Sequence, residues 1–303
     1  MQKNRRRLLQ GAAALSLARY ADAYAQAPAL IRRKIPVSGE AIPVIGLGTA
    51  RRYEEVRTAA DLVPLQATVQ RFEALGGTVI DTSASYGTAE AAVGTIVEAL
   101  KARVSLFIST KVDVLGREAG INQIEQSFKA LRTAKVDLIS VHNLRDTQIH
   151  LRTLRELQAQ GRIRYVGITT SFDRQYPQFE DTMKRERLDF IQVDYALDNR
   201  NAGERILPLA ADRGMAVMIN LPFGRGSLFS AVQGKPLPPW VADFDCRSWA
   251  QFFLKYIVSH PAVTCAVPGM AKPEYADDNL GAAHGRLPDA AMRRRMESLI
   301  DGL

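Results

Sequence analysis

Short apolar runs rich in β-branched residues alternate along the chain with longer stretches whose apolar residues recur every three or four positions. The short runs are Ile45–Thr49, Thr78–Ser83, Ser105–Lys111, Asp137–Asn143, Tyr165–Thr170, Phe190–Ala196, Ala216–Pro222 and Thr264–Gly269. Measured from end to end they lie 26 to 34 residues apart, with one interval of 47 before the last. That is the room one strand and one returning helix require. Eight such units predict a (β/α)8 TIM barrel, since eight parallel strands joined by helical crossovers can close without leaving an exposed edge. Among the helices, Leu62–Leu75 stops at Gly76-Gly77, and Ile121–Leu131 places Ile121, Ile124, Phe128 and Leu131 on one buried face. Ahead of the first run, Ile35–Val44 holds two short β-like pieces around Ser38-Gly39-Glu40, which predicts an N-terminal β-hairpin across the barrel bottom. The long interval contains a Gly/Pro-rich insertion, Gly224–Asp245, expected either to cover the active end of the barrel or to decorate its surface. No second domain or internal low-complexity segment interrupts the pattern.

Composition changes the picture at the N-terminus. The 303 residues are 24% charged and 47% hydrophobic, an ordinary globular balance, but they carry a formal charge of +8. Half of that excess lies in residues 1–25, where Lys3, Arg5, Arg6, Arg7 and Arg19 face a single acid, Asp22. The basic start is followed by a weakly apolar run, Gly11–Ala18, and then by alternating small residues at Ala21, Ala23, Ala25 and Ala27. Those are the three parts of an export signal. The paired Arg5 and Arg6 before Leu8 and Leu9 resemble the twin-arginine class, whose cargo crosses the membrane folded.

The expected division is therefore an export signal over 1–25, cleaved after Ala25, and a barrel over 26–303, with the twin-arginine machinery as a partner and the periplasm as destination. The other reading is a basic Ala-rich tail that is never exported, which would leave the protein cytoplasmic. The apolar run is far short of the roughly 20 residues of a spanning helix, so no stable membrane span is expected. The remaining charge is dispersed and no recognition motif accompanies it, which argues against nucleic-acid binding. Cys246 and Cys265 are the only cysteines, and buried free thiols are the expectation for both.

Barrel active sites lie where the strands end. Here the second strand ends in Asp81-Thr82-Ser83-Ala84-Ser85-Tyr86-Gly87, the third in Ser109-Thr110-Lys111 and the fourth in Val141-His142-Asn143. Four titratable groups are thus brought to one mouth, a costly cluster unless it is used. A phenol near pKa 10 is a weak acid at neutral pH, and an adjacent ammonium favours its ionised form. Lys111 is placed to do this to Tyr86, Asp81 to hold Lys111 charged, and His142 to donate to a substrate oxygen and help relay the proton. Such a site protonates an oxygen while the attached carbon is attacked.

With these residues in place, the chain resembles the aldo-keto reductases. The tetrad of that family matches Asp81, Tyr86, Lys111 and His142, and further matches are Gly46-Leu-Gly-Thr49, Gly161–Ile168, Gln192-Val-Asp-Tyr, Pro222-Phe-Gly-Arg-Gly226, Pro268-Gly269 and Asp278-Asn279-Leu280. The resemblance covers roughly residues 34–285. It implies NADP(H)-dependent reduction of a small-molecule aldehyde or ketone, with hydride transferred from the nicotinamide and Tyr86 as general acid. NAD is possible in place of NADP. No metal is expected, and His142, His150, His260 and His284 form no closely spaced ligand set. A reading from another class is a nicotinamide-binding barrel that acts as a slow redox sensor or subunit.

The same resemblance implies cofactor contacts at Gly48, Thr49, Asp81, Thr169, Gln192, Asn220, Pro222, Gly224, Gly226, Gly269, Lys272, Asp278 and Asn279. Two departures stand out. Thr169-Thr170 replaces the Ser-Asn pair that holds the carboxamide in the family, and Asn220-Leu221-Pro222-Phe223-Gly224 lacks the aromatic residue that stacks on the nicotinamide. Losing that stack removes on the order of 1 kcal/mol of contact. Around the adenosine 2′-phosphate, Lys272 offers one cation, and Tyr275 stands where many relatives have Arg or Gln. Arg51, Arg52, Tyr53 and Trp240 are expected near the mouth, where they would favour anionic or aromatic carbonyls.

Overall fold

The structure is a computed structural model that describes residues 29–303. The export-signal reading falls on residues 1–25, outside that range. The chain divides into a short N-terminal unit, Met1–Leu30, and a body, Ile31–Leu303, which carries the architecture.

The body opens with an antiparallel hairpin, β1 (Arg32–Lys34) and β2 (Ala41–Pro43), in which Arg33 faces Ile42. Eight parallel strands follow: β3 (Leu47–Gly48), β4 (Val79–Asp81), β5 (Phe107–Val112), β6 (Val136–Val141), β7 (Ile163–Thr169), β8 (Phe190–Asp194), β9 (Ala216–Asn220) and β10 (Cys265–Ala266). They pair in sequence order. Parallel bridges from Ile45 to Ala266 and from Gly48 to Gly269 join the first strand to the last, so the sheet closes on itself. Gly46 N–H donates to the Ala266 carbonyl and Gly48 N–H to that of Pro268, both at 2.8 Å. A Cβ on Gly48 would lie 2.5 Å from the Val267 carbonyl oxygen, so the seam needs glycine there. All eight expected strands are present. Except in β5, which runs one residue past Lys111 to Val112, their last expected residues leave the ladder, because the chain turns there to build the mouth.

Two helices begin earlier than their apolar periodicity indicates. The first, α1 (Ala59–Ala74), starts three residues before Leu62 because the Asp61 carboxylate accepts from Thr58 N–H at 2.8 Å and Arg57 N–H at 2.9 Å, satisfying donors that the helix start leaves free. The helix α2 (Ala89–Ala99) follows β4, and α3 (Arg117–Ala130) follows β5 and starts four residues before Ile121.

The hairpin covers the bottom of the barrel, as expected. Ile35 and Ile42 share one buried cluster with Val79, Phe107, Phe190 and Ala216, the first residues of their strands. Phe107, Tyr165 and Phe190 meet there with ring centroids 5.4–5.9 Å apart. The Tyr165 hydroxyl lies 2.8 Å from Ser38 Oγ and 2.7 Å from Glu40 Oε2, which ties the hairpin turn to the barrel. Both cysteines are buried and free. Among the described residues no helix is long and apolar enough to cross a membrane.

The insertion between β9 and β10 divides its work. Its first part sends Phe223, Arg225, Gly226 and Phe229 to the barrel mouth, with Phe223 and Phe229 in ring contact at 4.9 Å. Its second part turns away: Trp240 packs on Phe244 and Phe252 beneath the Arg295 guanidinium, so it is not a mouth residue.

Candidate active site

Strand alternation decides which side chains enter the barrel. In β5, Ser109 and Lys111 point inward, whereas Thr110 points outward to Glu90, donating to its carboxylate at 2.5 Å. The inward pair meets Asp81 at the end of β4. Lys111 Nζ donates to Asp81 Oδ1 and Oδ2 at 3.0 and 2.9 Å and to the Thr82 carbonyl at 2.7 Å, while Ser109 Oγ donates to Asp81 Oδ1 at 2.8 Å. The Lys111 and Asp81 side chains are only 1% and 7% exposed, so this ion pair is sealed from water and satisfied by protein groups.

Tyr86 reaches the same point from the loop after β4. Lys111 Nζ sits 5.1 Å from its ring centroid. The next residue, Gly87, has φ +52, and a Cβ there would strike the Glu54 carbonyl oxygen at 2.3 Å. Glycine therefore lets the tyrosine loop dock on the Arg51–Glu54 segment, where Thr88 N–H donates to that carbonyl at 3.1 Å. Burial, the largest influence, pushes the Tyr86 phenol up, and the Lys111 charge pulling it down does not compensate. The expectation that Lys111 lowers this group below its ordinary value is thus corrected: burial outweighs the ammonium. For Lys111, burial works against the charged form, but Asp81 and then Tyr86 outweigh it and hold its pKa above the usual lysine value.

His142 opens a single tight turn, His142–Leu144, in which Asn143 and Leu144 have φ of 49° and 58°. Its ring stands edge-on to Tyr86, with centroids 6.0 Å apart. Its Nδ1 lies 2.9 Å from Asp113 Oδ2 and 3.2 Å from Ser85 Oγ. Burial first, and then the Lys111 charge, push its pKa down to about 4, so the ring is neutral at pH 7. Asp113 was not among the residues singled out from sequence. The signal for it was its place two residues beyond Lys111, which the strand register puts beside His142.

A cavity of roughly 410 Å3 opens over this cluster, a size suited to a small molecule or part of a cofactor. It collects Gly48, Thr49, Asp81, Tyr86, His142, Thr169, Gln192, Asn220, Pro222, Gly226 and Gly269 from the sequence reading. Thr49 also braces the floor, since its hydroxyl donates to the Asp81 carbonyl at 3.0 Å. Arg51 and Arg52 line the cavity as expected, whereas Tyr53 is buried beneath it with no partner for its hydroxyl. Arg225 of the Pro222–Gly226 match lines it as well, and Ser171 and Phe229 line it without having been foreseen. Lys111 lies under the cavity as the partner of Asp81 and Tyr86.

The remaining expected contacts stand apart from this cavity. Gly224, with φ +55, lines an adjoining depression beside Asp198. Lys272 is exposed at the start of the helix Pro273–Gly281, 4.0 Å from Glu274 and over the Tyr275 ring. Asp278 accepts from Ser248 Oγ at 2.7 Å and Gln251 Nε2 at 3.0 Å, and Asn279 is buried in the same helix. No group of three or more His, Cys, Asp or Glu among the described residues is arranged to hold a metal ion.

Known proteins share this architecture. The chain is 26% identical over 268 residues to the methylglyoxal reductase YeaE of Escherichia coli, covering 86% of this chain and 93% of that protein. The crystal structure of an aldo/keto reductase from Klebsiella pneumoniae in complex with NADP and acetate superimposes with a TM-score of 0.72 at 23% identity, over 89% of this chain and 96% of that one. The holo form of the aldo-keto reductase AKR11C1 from Bacillus halodurans gives 0.73 at 19%, over 89% and 96%. These two structures establish the likeness in fold. The sequence profile described as the Aldo/keto reductase family matches residues 44–300, from the barrel seam to the last helix, and the chain belongs to that family.

Proposed function

We propose that this protein is an NADP(H)-dependent reductase of aldehydes or ketones, with Tyr86 as the general acid. The observation that carries the reading is the convergence of Tyr86, Lys111 and the sealed Asp81 on the floor of one cavity. The walls suit a nicotinamide carboxamide. Gln192 Nε2 and Asn220 Oδ1 are buried polar atoms without partners on residues that line this cavity, one a donor and the other an acceptor, and a primary amide offers the complement of both. Arg51, Arg52 and Arg225 bring positive charge to the same rim, where a dinucleotide carries its phosphates. Lys272 is the cation proposed for the 2′-phosphate, and the NADP complex of the Klebsiella pneumoniae relative supports this preference.

When bound, the reduced nicotinamide supplies the hydride. The protein's own residues do the rest. Burial keeps Tyr86 protonated and able to donate, while Lys111 steadies the phenolate left after donation. Asp81 and the Thr82 carbonyl keep Lys111 charged and fixed. Phe223 and Phe229 give the cavity an apolar wall that limits water. Saturable NADPH binding, together with nucleotide oxidation that depends on added aldehyde or ketone, is the expected result of a fluorescence titration and a carbonyl panel. Binding without any carbonyl-dependent oxidation overturns the reading.

We also propose, from residues 1–25, that the protein is exported through a twin-arginine route and folds around its cofactor before crossing. Cell fractionation should place it in the periplasm with nucleotide bound, and Arg5→Lys together with Arg6→Lys should retain it in the cytoplasm. Unchanged distribution of the double variant contradicts the export proposal.

A further inference from the structure

Two acids line the cavity, Asp81 and Glu54, and only one of them is matched. Asp81 is paired with Lys111, whereas Glu54, half-buried beside Tyr86, stands within ion-pair distance of no cation among the described residues. Its sequence neighbour Glu55 is the one that pairs, with Arg57. One oxygen of Glu54, Oε1, accepts from Arg51 N–H at 2.6 Å and closes a turn in which Arg51 has φ +59. The other, Oε2, has no partner in the protein and is not among the enclosed polar atoms. Three bonds tie this segment to the tyrosine loop: Thr88 N–H donates to the Glu54 carbonyl at 3.1 Å, and Thr88 Oγ1 donates to the Tyr53 carbonyl at 3.0 Å while accepting from Val56 N–H at 2.9 Å. Tyr53, fully buried, anchors the segment from below. Glu54 is thus held where its charge is felt at the Tyr86 phenol, the other charges acting there being Lys111 and Asp81. The rim cations are placed elsewhere. Arg52 lies against Gly269 at the barrel seam, its Cγ 3.3 Å from where a Cβ on that glycine would stand, and Arg225 shares the adjoining depression with Asp194 and Asp198. Arg51 meets Glu54 through its backbone alone.

The geometry points to Glu54 as a specificity-determining residue, whose unmatched carboxylate turns the mouth against substrates that carry a carboxylate beside the reacting carbonyl and toward those that carry an ammonium group there. This replaces the preference for anionic carbonyls expected from Arg51 and Arg52. In a cavity partly shielded from water, like charges repel and opposite charges attract more strongly than in bulk solvent. A 2-oxo acid brings its carboxylate in next to the carbonyl that Tyr86 protonates, and so toward Glu54, whereas an amino ketone brings a cation. The phosphates of a bound dinucleotide engage the rim arginines, so those cations do not offset Glu54 for the substrate. The selectivity rests on the reductase reading above, and the placement of the Glu54 charge beside Tyr86 does not.

Two variants separate the charge from the turn. Glu54→Gln keeps an oxygen for the Arg51 N–H and removes only the charge, while Glu54→Ala removes both. Pyruvate, hydroxyacetone and aminoacetone share one acetyl group and differ in an adjoining group that is negative, neutral or positive. In Glu54→Gln, the ratio of kcat/KM for pyruvate to that for hydroxyacetone should rise roughly tenfold, and the ratio for aminoacetone to hydroxyacetone should fall by a similar factor, the size expected for one charge in a partly solvated mouth. Both changes should shrink as salt is raised. The placement is read separately, on nucleotide-free protein grown with 3-fluorotyrosine. The fluorine resonance of residue 86, identified by its absence in Tyr86→Phe, should titrate at lower pH in Glu54→Gln than in wild type, because removing a nearby negative charge favours the phenolate. Ratios unchanged in Glu54→Gln, or changed only in Glu54→Ala, overturn the inference, as does an unmoved titration. If the titration moves as expected and no carbonyl is reduced, the placement of Glu54 stands and the reductase reading fails, taking the selectivity with it.

Discussion

Lys111 is the residue on which the site is balanced. It is buried, its charge is matched by Asp81, and its third contact is a backbone carbonyl. Lys111→Met would leave Asp81 as a buried, uncompensated acid, at a cost of about 3–5 kcal/mol. Urea unfolding of the variant should show that loss, together with carbonyl reduction slowed well beyond it, while a stability within experimental error of wild type would contradict the sealed pair. Asp81, Lys111 and His142 were legible in the sequence because each stands at or beside the end of a strand run, and Tyr86 because it lies in the loop that follows the second run. What was not legible is how they are tuned. Burial outweighs Lys111 at Tyr86, and His142 meets an acid from the neighbouring strand, and both depend on tertiary packing that spacing along one strand does not encode.

Among the elements, the strands were readable because their apolar runs are short, β-branched and evenly spaced, and the hairpin because Ser38-Gly39-Glu40 separates two such pieces. Helix starts were read late. Apolar periodicity reports the buried face, whereas α1 begins at a polar cap, Thr58 with Asp61. Helix packing was equally hidden. Gly94 sits where α2 meets the end of α3, and a Cβ there would lie 2.1 Å from the Ala130 carbonyl oxygen. Gly94→Ala should therefore push the two helices apart, even though alanine favours a helix, at a cost of about 1–3 kcal/mol. A lower urea midpoint with unchanged slope is the expected outcome. A midpoint raised by the better helix former would show that the two helices are not in close contact at this glycine.

For the whole molecule, the barrel explains why one end is structural and the other chemical. The hairpin, Phe107, Tyr165 and Phe190 seal the bottom, so the polar strand ends, the Phe223–Phe229 wall and the rim arginines share the open mouth. The basic charge divides in the same spirit: residues 1–25 carry half of it, and the rim arginines place part of the rest where an anionic dinucleotide would lie. The central claim is that this mouth transfers hydride with a proton from Tyr86. A single-turnover reaction of NADPH-loaded protein with a reactive aldehyde tests it most directly. The account predicts that bound NADPH is oxidised by wild type, and that Tyr86→Phe still binds NADPH but reacts roughly 100- to 10,000-fold more slowly. Wild-type protein that holds NADPH without oxidising it, or a Tyr86→Phe variant that reacts at the wild-type rate, would contradict the account.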